Sequence, residues 1–218
     1  MATLTDDFNR SDGALGGDWL NESTGYTIVS NRARAGSGTN RSLLNVTTLG
    51  LDQYAQAVFY GIPTVPGGGD HEGPGIAVRF GKSSWPGGAW DNAYHVLVMT
   101  NKLSLFKGFF TLLETQNATT ADGDTVRIEV SGSSGTAHIV VKRNGTTIIE
   151  YDDSSSPYES ANHVRAGMTA YRNGTNEIDD FEAGDLSAGG STTKANLIKQ
   201  VSRYHLGVGS LGRIQRRS

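Results

Sequence analysis

Apolar residues recur at every second position through most of the chain, which is the spacing of β-strands with one buried face. The clearest stretch is 124–151, where Val126, Ile128 and Val130 alternate with charged residues. A second alternating run follows, and the Asn144-Gly145 pair after it is a strong signal for a two-residue hairpin turn. The pattern therefore predicts a three-stranded antiparallel meander over residues 124–151.

Seven further segments have the composition and length of strands: Gly25–Val29, Tyr54–Tyr60, Gly75–Phe80, Ala93–Thr100, Leu103–Leu113 with a break near Gly108, Val164–Tyr171 and Glu177–Ala183. No amphipathic helix of ordinary length precedes residue 190. Short strands without helical crossovers favour antiparallel sheets over an α/β fold. We expect an all-β protein in which two sheets stack as a sandwich.

The end of the chain differs from the body in composition. Residues 187–193 read as a linker, and 194–218 carry six basic residues and no acidic residue, whereas residues 1–185 carry a net charge of −9. Within the tail, 194–206 is the one segment with helical periodicity. The sequence predicts a domain over 1–186, a linker over 187–193 and a basic C-terminal arm over 194–218.

Composition removes several classes of function. The chain contains no cysteine, which excludes disulfides, thiolate metal sites and cysteine nucleophiles. No apolar run reaches the roughly 18 residues of a membrane span, and the N-terminus lacks the features of a signal peptide. We expect a protein made in the cytoplasm without a membrane partner.

Three segments carry a family resemblance: DDFNRSDGALGGDW at the start, DTVRIEVSGSSGTAHIVVKRNGTTIIEYDD in the middle and HVRAGMTAYRNGTNEIDDFEAGDL near the end. Together they resemble the concanavalin A-like lectin and glucanase jelly rolls, and more narrowly the laminin-G-like modules of bacteriophage structural proteins. The resemblance covers about residues 3–186 and implies two curved antiparallel sheets. It implies little about chemistry, because this fold carries sugar binders, hydrolases and inert spacers.

One acidic motif requires comparison with the hydrolases of that family. Glu177, Asp179 and Glu182 have the E-x-D-x-x-E spacing of retaining glucanases, in which one carboxylate attacks and another donates a proton. The motif departs from the enzymes at Asp180, where they have an apolar residue, and it lies on the last strand of the domain. We therefore expect no catalytic residue, with Ile178 and Phe181 packed inward, and keep a retaining glucanase as an alternative.

Metal binding is a weaker alternative. Asp6, Asp7, Asp179 and Asp180 would form a Ca²⁺ site only if the first and last strands brought them together. The triplet 70–72 (Asp-His-Glu) lacks the convergent spacing that transition-metal ligands need. We expect no cofactor.

A saccharide platform is the more plausible chemistry. Trp85 and Trp90 lie in a loop rich in Gly, Ser and Pro, where exposed indoles could stack on sugar rings. Asp91 and Asn92 would then supply hydrogen bonds to hydroxyl groups. The competing interpretation is that these indoles cover a sheet edge or a subunit contact.

The composition of the tail favours an assembly role. A helix over residues 194–206 would carry one apolar stripe, and a helix this short is stable only when that stripe is buried against a partner. The predicted anchors are Leu197, Ile198, Val201, Tyr204, Leu211 and Ile214, with Arg213, Arg216 and Arg217 facing acidic groups. Binding of the arm to nucleic acid is disfavoured, and docking onto the acidic body is an alternative. The sequence-based hypothesis is a non-enzymatic protein of the virion surface, held by its arm to capsid or tail subunits or to copies of itself. A carbohydrate-binding, lectin-like module that recognises cell-surface glycans is the first alternative.

Overall fold

The computed structural model of the chain describes residues 3–22, 25–45, 49–64, 72–81, 92–108, 111–160, 163–171 and 176–186. Contacts divide the chain into a unit of Met1–Leu186 and a unit of Ser187–Ser218, and the second lies outside the described residues. The described residues form strands and turns, and no helix suited to crossing a membrane occurs among them. The predicted all-β class is confirmed.

The described ranges contain sixteen strands, and in chain order they are β1 (Thr3–Asp6), β2 (Gly13–Ala14), β3 (Trp19–Glu22), β4 (Tyr26–Val29), β5 (Arg32–Ala35), β6 (Thr39–Leu44), β7 (Gln53–Tyr60), β8 (Gly73–Gly81), β9 (Tyr94–Met99), β10 (Lys102–Lys107), β11 (Thr111–Asn117), β12 (Thr125–Ser131), β13 (Ala137–Arg143), β14 (Thr146–Asp153), β15 (His163–Tyr171) and β16 (Glu177–Asp185).

These strands form two antiparallel sheets in a jelly-roll sandwich. One sheet has nine strands in the order β14-β13-β12-β7-β16-β5-β4-β2, with β1 added beside β16. The other has seven strands in the order β11-β10-β9-β8-β15-β6-β3. Because β1 and β16 pair directly, the first and last strands of the domain lie together, as the family resemblance implies.

The predicted meander is present as β12, β13 and β14. Asn144 and Gly145 both have positive φ, at 49° and 79°, which a type I′ hairpin turn requires. Val126, Ile128 and Val130 lie in the core between the sheets, while the intervening charged residues face away from it. The two-residue periodicity here gave both the strands and their orientation.

Several short strands were not predicted from the sequence. In β5 two arginines alternate with Ala33 and Ala35, which are buried although alanine is a weak strand former. Strand β6 (TNRSLL) is buried along most of its length despite its polar residues. These strands depend on their neighbours in the sheet rather than on their own composition.

The two sheets differ in the face that points away from the core. In β9, Val96 and Val98 face the core, yet Leu97 and Met99 on the opposite face are also buried. Leu43, Ala77, Phe80 and Ala93 form another buried cluster outside the main core. The central strands β8, β9 and β10 of the seven-stranded sheet are therefore buried on both faces, whereas charged and polar residues occupy the outer face of the nine-stranded sheet.

Candidate functional site: a pocket at the N-terminal corner

The segment that follows β1 folds into a tight hook. Phe8 has a φ of 49° and is fully buried, a combination that is unusual for a bulky residue. The Asp6 carboxylate accepts a hydrogen bond from the Phe8 amide at 2.9 Å, and the Phe8 carbonyl accepts one from the Arg10 amide at 2.8 Å. These bonds hold Phe8 inward and bring Arg10 back alongside β1.

Asp6 is the centre of this hook. Its carboxylate accepts two bonds from the Arg10 guanidinium, at 2.6 and 2.9 Å, and one from Trp19 Nε1 at 2.7 Å. Burial alone would raise the pKa of Asp6, but the hydrogen bonds from Arg10, Trp19 and Phe8 outweigh burial and lower it. Asp6 therefore remains ionised and fixes both side chains.

An aromatic cluster supports the hook from the core side. The ring centroids of Phe8 and Trp19 are 5.9 Å apart, and Trp19 meets Phe181 of β16 edge to face at 5.2 Å. Because Phe181 pairs with Asp6 in the β1–β16 register, the last strand of the domain buttresses the first. The position of Trp19 is thus fixed by packing as well as by its hydrogen bond.

A pocket of about 440 Å³ opens beside this hook. Its apolar walls come from Leu4, Leu15, Trp19 and Leu44, and its polar groups belong to Thr5, Asp6, Arg10 and Asp18, with Gly16 completing the lining. Thr5 and Asp6 lie in the nine-stranded sheet, whereas Trp19 and Leu44 lie in the seven-stranded sheet. The pocket therefore forms where the two sheets meet.

Two polar groups of the pocket retain bonding capacity. The Nη groups of Arg10 donate hydrogen bonds to Asp6 and to the Leu15 carbonyl. The Arg10 Nε–H has no partner among the described residues. Asp18 is exposed, and no hydrogen bond or ion pair within the described ranges involves its carboxylate. The pocket thus offers one cationic donor and one anionic acceptor beside apolar walls.

Sequence reasoning did not identify this pocket. It used the Asp6-to-Trp19 segment as a mark of the fold, while Leu44, more than twenty residues beyond Trp19, gave no local signal. The detectable signal was a carboxylate four residues before an arginine and thirteen before a tryptophan.

The acidic motif lies on the outer face of β16. A bulge between Asp179 and Glu182 places Asp180 at a φ of 45° and shifts the alternation by one residue. Ile178 and Phe181 consequently pack in the core, as expected, and Glu177, Asp179 and Glu182 share the opposite face. Strand β16 is the last strand of the described residues but lies inside its sheet, between β7 and β5.

These acids are held by neighbouring side chains. Glu177 accepts hydrogen bonds from Arg34 Nε at 2.9 Å and Arg32 Nη1 at 3.1 Å, and Arg32 also stacks on Tyr60 at 3.6 Å. Glu182 accepts hydrogen bonds from the Tyr54 hydroxyl and from Gln56.

Asp179 has a raised pKa, because burial and the charges of Asp180 and Asp7 outweigh the opposing effects of the Asp180 amide and Arg32.

The other candidate positions are placed as follows. The Asp6 carboxylate accepts hydrogen bonds from Arg10 and Trp19, and the Asp7 carboxylate accepts one from the Asn9 amide. No group of three potential ligands suited to a metal ion occurs in the described part of the chain. The positions outside the described residues are Trp85, Trp90, Asp91, residues 70 and 71 of the triplet 70–72, and every arm residue from Leu197 to Arg217. Asn92 is described, and its carbonyl accepts a bond from the Gly81 amide at 2.9 Å, which joins the two ends of the loop that carries both tryptophans.

The two sheets form an antiparallel jelly-roll sandwich, and the solved structures that are similar to it are concanavalin A-like lectin and glucanase jelly rolls. Neither a family model nor a curated protein matches the sequence. Among solved structures, the chain is similar to carbohydrate-binding module CBM66 from Bacillus subtilis, with a TM-score of 0.51, 11% identity and coverage of 76% of this chain and 94% of that chain.

Two further similar structures are a glucanase and a lectin. The GH16 endo-β-1,3(4)-glucanase SCLam has a TM-score of 0.52 and 10% identity over 83% of this chain and 89% of its own. Lectin II from Ulex europaeus has a TM-score of 0.52 and 8% identity over 85% of this chain and 99% of its own. Identities this low show the fold alone, and no finding gives a phage context, so the virion role stays a prediction.

Proposed function

We propose that the domain is a lectin-like module that binds a saccharide without hydrolysing it, and that the pocket at the N-terminal corner is its binding site. Two of the similar structures are named for carbohydrate binding, as a carbohydrate-binding module and a lectin. This support favours the lectin-like alternative from the sequence over the virion role.

The observation that carries the proposal is the composition of the pocket. Saccharides present apolar C–H faces and closely spaced hydroxyl groups, so their sites combine an apolar wall with a few fixed polar groups. Here Leu4, Leu15 and Leu44 supply the wall, while Arg10 and Asp18 supply a donor and an acceptor. Asp6 fixes Arg10 in advance, which lowers the entropic cost of ordering that side chain on binding.

The environment of the acidic motif supports the non-enzymatic part of the proposal. A retaining mechanism needs one carboxyl group that can donate a proton and one free to attack. Arg32 and Arg34 both bind Glu177, whose side chain is only 13% exposed, so this carboxylate is already engaged by two guanidinium groups. Glu182 is likewise bonded to Tyr54 and Gln56.

Binding to an immobilised glycan array tests the site. We expect Asp18→Ala to lose at least about tenfold in affinity for the glycans that the parent protein binds, because each hydroxyl bonded to a carboxylate contributes about 1.5–3 kcal/mol. Glu150→Ala removes an exposed carboxylate from β14, an edge strand of the nine-stranded sheet that does not line the pocket, and serves as the matched control.

Unchanged binding in Asp18→Ala, or equal losses in both variants, would refute the pocket as the site. The glucanase alternative is tested separately with mixed-linkage β-glucan. Release of reducing sugar by the parent protein that disappears in Glu177→Gln would establish that alternative instead.

A further inference from the structure

We infer that the pocket at the N-terminal corner selects a sugar unit that carries hydroxyl groups and no carboxylate, and so discriminates against acidic sugars. This inference rests on the proposed function and adds the class of saccharide. It follows from which groups in the pocket are already paired, which are not, and what a ligand must therefore supply.

Asp6 has no capacity left for a ligand. Its two oxygen atoms accept bonds from the Phe8 amide, from Trp19 and twice from Arg10. Its charge is neutralised by Arg10 in a bidentate pair, the strong geometry for a carboxylate and a guanidinium. Asp6 therefore positions other residues and does not itself contact the sugar.

The Arg10 Nε–H and the Asp18 carboxylate remain available to a ligand, and they require opposite hydrogen-bonding partners. The Arg10 Nε–H can only donate, and the Asp18 carboxylate can only accept. Both residues line the same pocket. The pKa of Arg10 is raised first by its hydrogen bond to Asp6 and further by the charges of Asp7 and Asp18. A ligand that satisfies both must donate and accept within one sugar unit.

Neighbouring hydroxyl groups meet this requirement, since each hydroxyl is both a donor and an acceptor. The carboxylate of a uronic acid would satisfy Arg10 but face the charge of Asp18. The uronate therefore leaves Asp18 repelled and unpaired, which is how binding sites exclude close analogues.

The surroundings strengthen the discrimination against acids. The pair of Asp6 and Arg10 is neutral, so Asp18 leaves the pocket with one net negative charge, and residues 1–185 carry −9 in total. The volume of the pocket, about 440 Å³, lies near the lower end of the roughly 300–1,000 Å³ found for ligand sites, which suits one or two sugar rings. The pocket therefore accommodates a short saccharide rather than a long chain.

The test compares matched methyl glycosides that differ in one group. Glucose, glucuronate and glucosamine form one series, and galactose, galacturonate and galactosamine form a second. Each is titrated into the ¹⁵N-labelled full chain while the assigned indole Nε1–H resonances of Trp19, Trp85 and Trp90 are followed by NMR. Trp19 reports the pocket, because its Nε1–H is bonded to Asp6.

We expect a neutral hexoside to shift the Trp19 resonance and its uronate to bind at least about tenfold more weakly at low salt, whereas the amino sugar, whose charge is opposite to that of Asp18, should not bind more weakly than the neutral form. The preference over the uronate should shrink in 0.5 M NaCl and in Asp18→Asn, because salt screens the repulsion and the amide removes it. A purely structural role of Asp18 would not change this ratio with salt. Glu150→Gln is the control and should leave the ratio unchanged.

Two results would overturn the inference in distinguishable ways. If the uronate shifts Trp19 as strongly as the neutral sugar does, the site stands and the assigned class is wrong. If no sugar shifts Trp19, or only Trp85 and Trp90 respond, both the pocket and the inference are wrong.

Discussion

At the scale of single residues, Asp6 has the greatest concentration of interactions near the pocket. It holds the backbone turn at Phe8, the charge of Arg10 and the indole of Trp19, which is only 5% exposed. Asp7, the adjacent acid, is exposed and accepts a single bond from the Asn9 amide. Two neighbouring aspartates thus provide a matched pair for mutation.

Asp6→Ala should lower the free energy of unfolding by about 2 kcal/mol, because it leaves the buried Trp19 Nε1–H without an acceptor. Asp7→Ala should change it by less than about 0.5 kcal/mol, as is usual for exposed positions. Urea denaturation followed by tryptophan fluorescence measures both values. Equal effects of the two substitutions would contradict the role assigned to Asp6.

Acid should destabilise the protein through the same carboxylate. In Asp6, and also in Glu129 and Asp153, burial raises the pKa but hydrogen bonds from basic or hydroxyl-bearing partners outweigh it, so each pKa is lowered. A lowered folded-state pKa gives stability that is complete above about pH 5 and is lost as the pH falls through about 4 and below.

Melting temperatures measured from pH 7 to pH 3 test this prediction. The parent protein should fall toward the stability of Asp6→Ala as the pH decreases, because protonation removes the same charge as the substitution. A difference between the two proteins that is as large at pH 3 as at pH 7 would show that ionisation of Asp6 does not contribute.

At the scale of elements, the bulge in β16 decides which residues of the last strand face the core. Asp180 takes up the extra position at a φ of 45°, with its side chain exposed and its amide bonded to the Asp179 carboxylate at 2.9 Å. This shift allows Ile178 and Phe181, three residues apart, to point the same way. Without it, Phe181 could not buttress Trp19 and the pocket would lose that support.

Asp180→Gly should leave stability within about 0.5 kcal/mol of the parent, since glycine adopts positive φ freely. Asp180→Val should cost about 1–2 kcal/mol, because a β-branched residue is strained in this region. Thermal unfolding of the two variants makes the comparison. A valine variant as stable as the glycine variant would contradict a backbone strained at this position.

At the scale of the whole molecule, the domain of residues 1–186 has its own core between two sheets, and the basic segment 187–218 is a separate unit. The clustered apolar and basic residues of that segment favour an assembly role, which stays a prediction, as do its virion partners. The described domain contains the pocket, so the proposed sugar binding and the predicted assembly role can be tested separately by truncation.

A chain ending at Leu186 should remain soluble, unfold cooperatively and bind the same glycans as the full chain. If the arm mediates assembly, this truncation should also abolish attachment to particles or to other copies of the protein. Light scattering, circular dichroism and the glycan array measure these properties. Loss of cooperative unfolding would show that residues 187–218 are needed for the fold, and unchanged attachment would contradict the assembly role.

The sequence by itself determined the β class, the two-sheet sandwich and the meander of β12–β14, because these follow from two-residue periodicity and from the local demand for positive φ at Asn144 and Gly145. It also predicted that Ile178 and Phe181 face inward. It did not reveal short strands such as β5, whose alternating alanines become buried only beside their partners in the sheet.

Tertiary structure alone decided where the pocket lies. Asp6 meets Trp19 thirteen residues later, both lie near Leu44, and Phe181 packs against Trp19 from the far end of the domain. No local pattern encodes these contacts, because they depend on the pairing of the first strand with the last and on the closure of one sheet over the other. Periodicity specifies which face of a strand is buried, whereas the neighbours of that strand are set by the free energy of packing the whole chain.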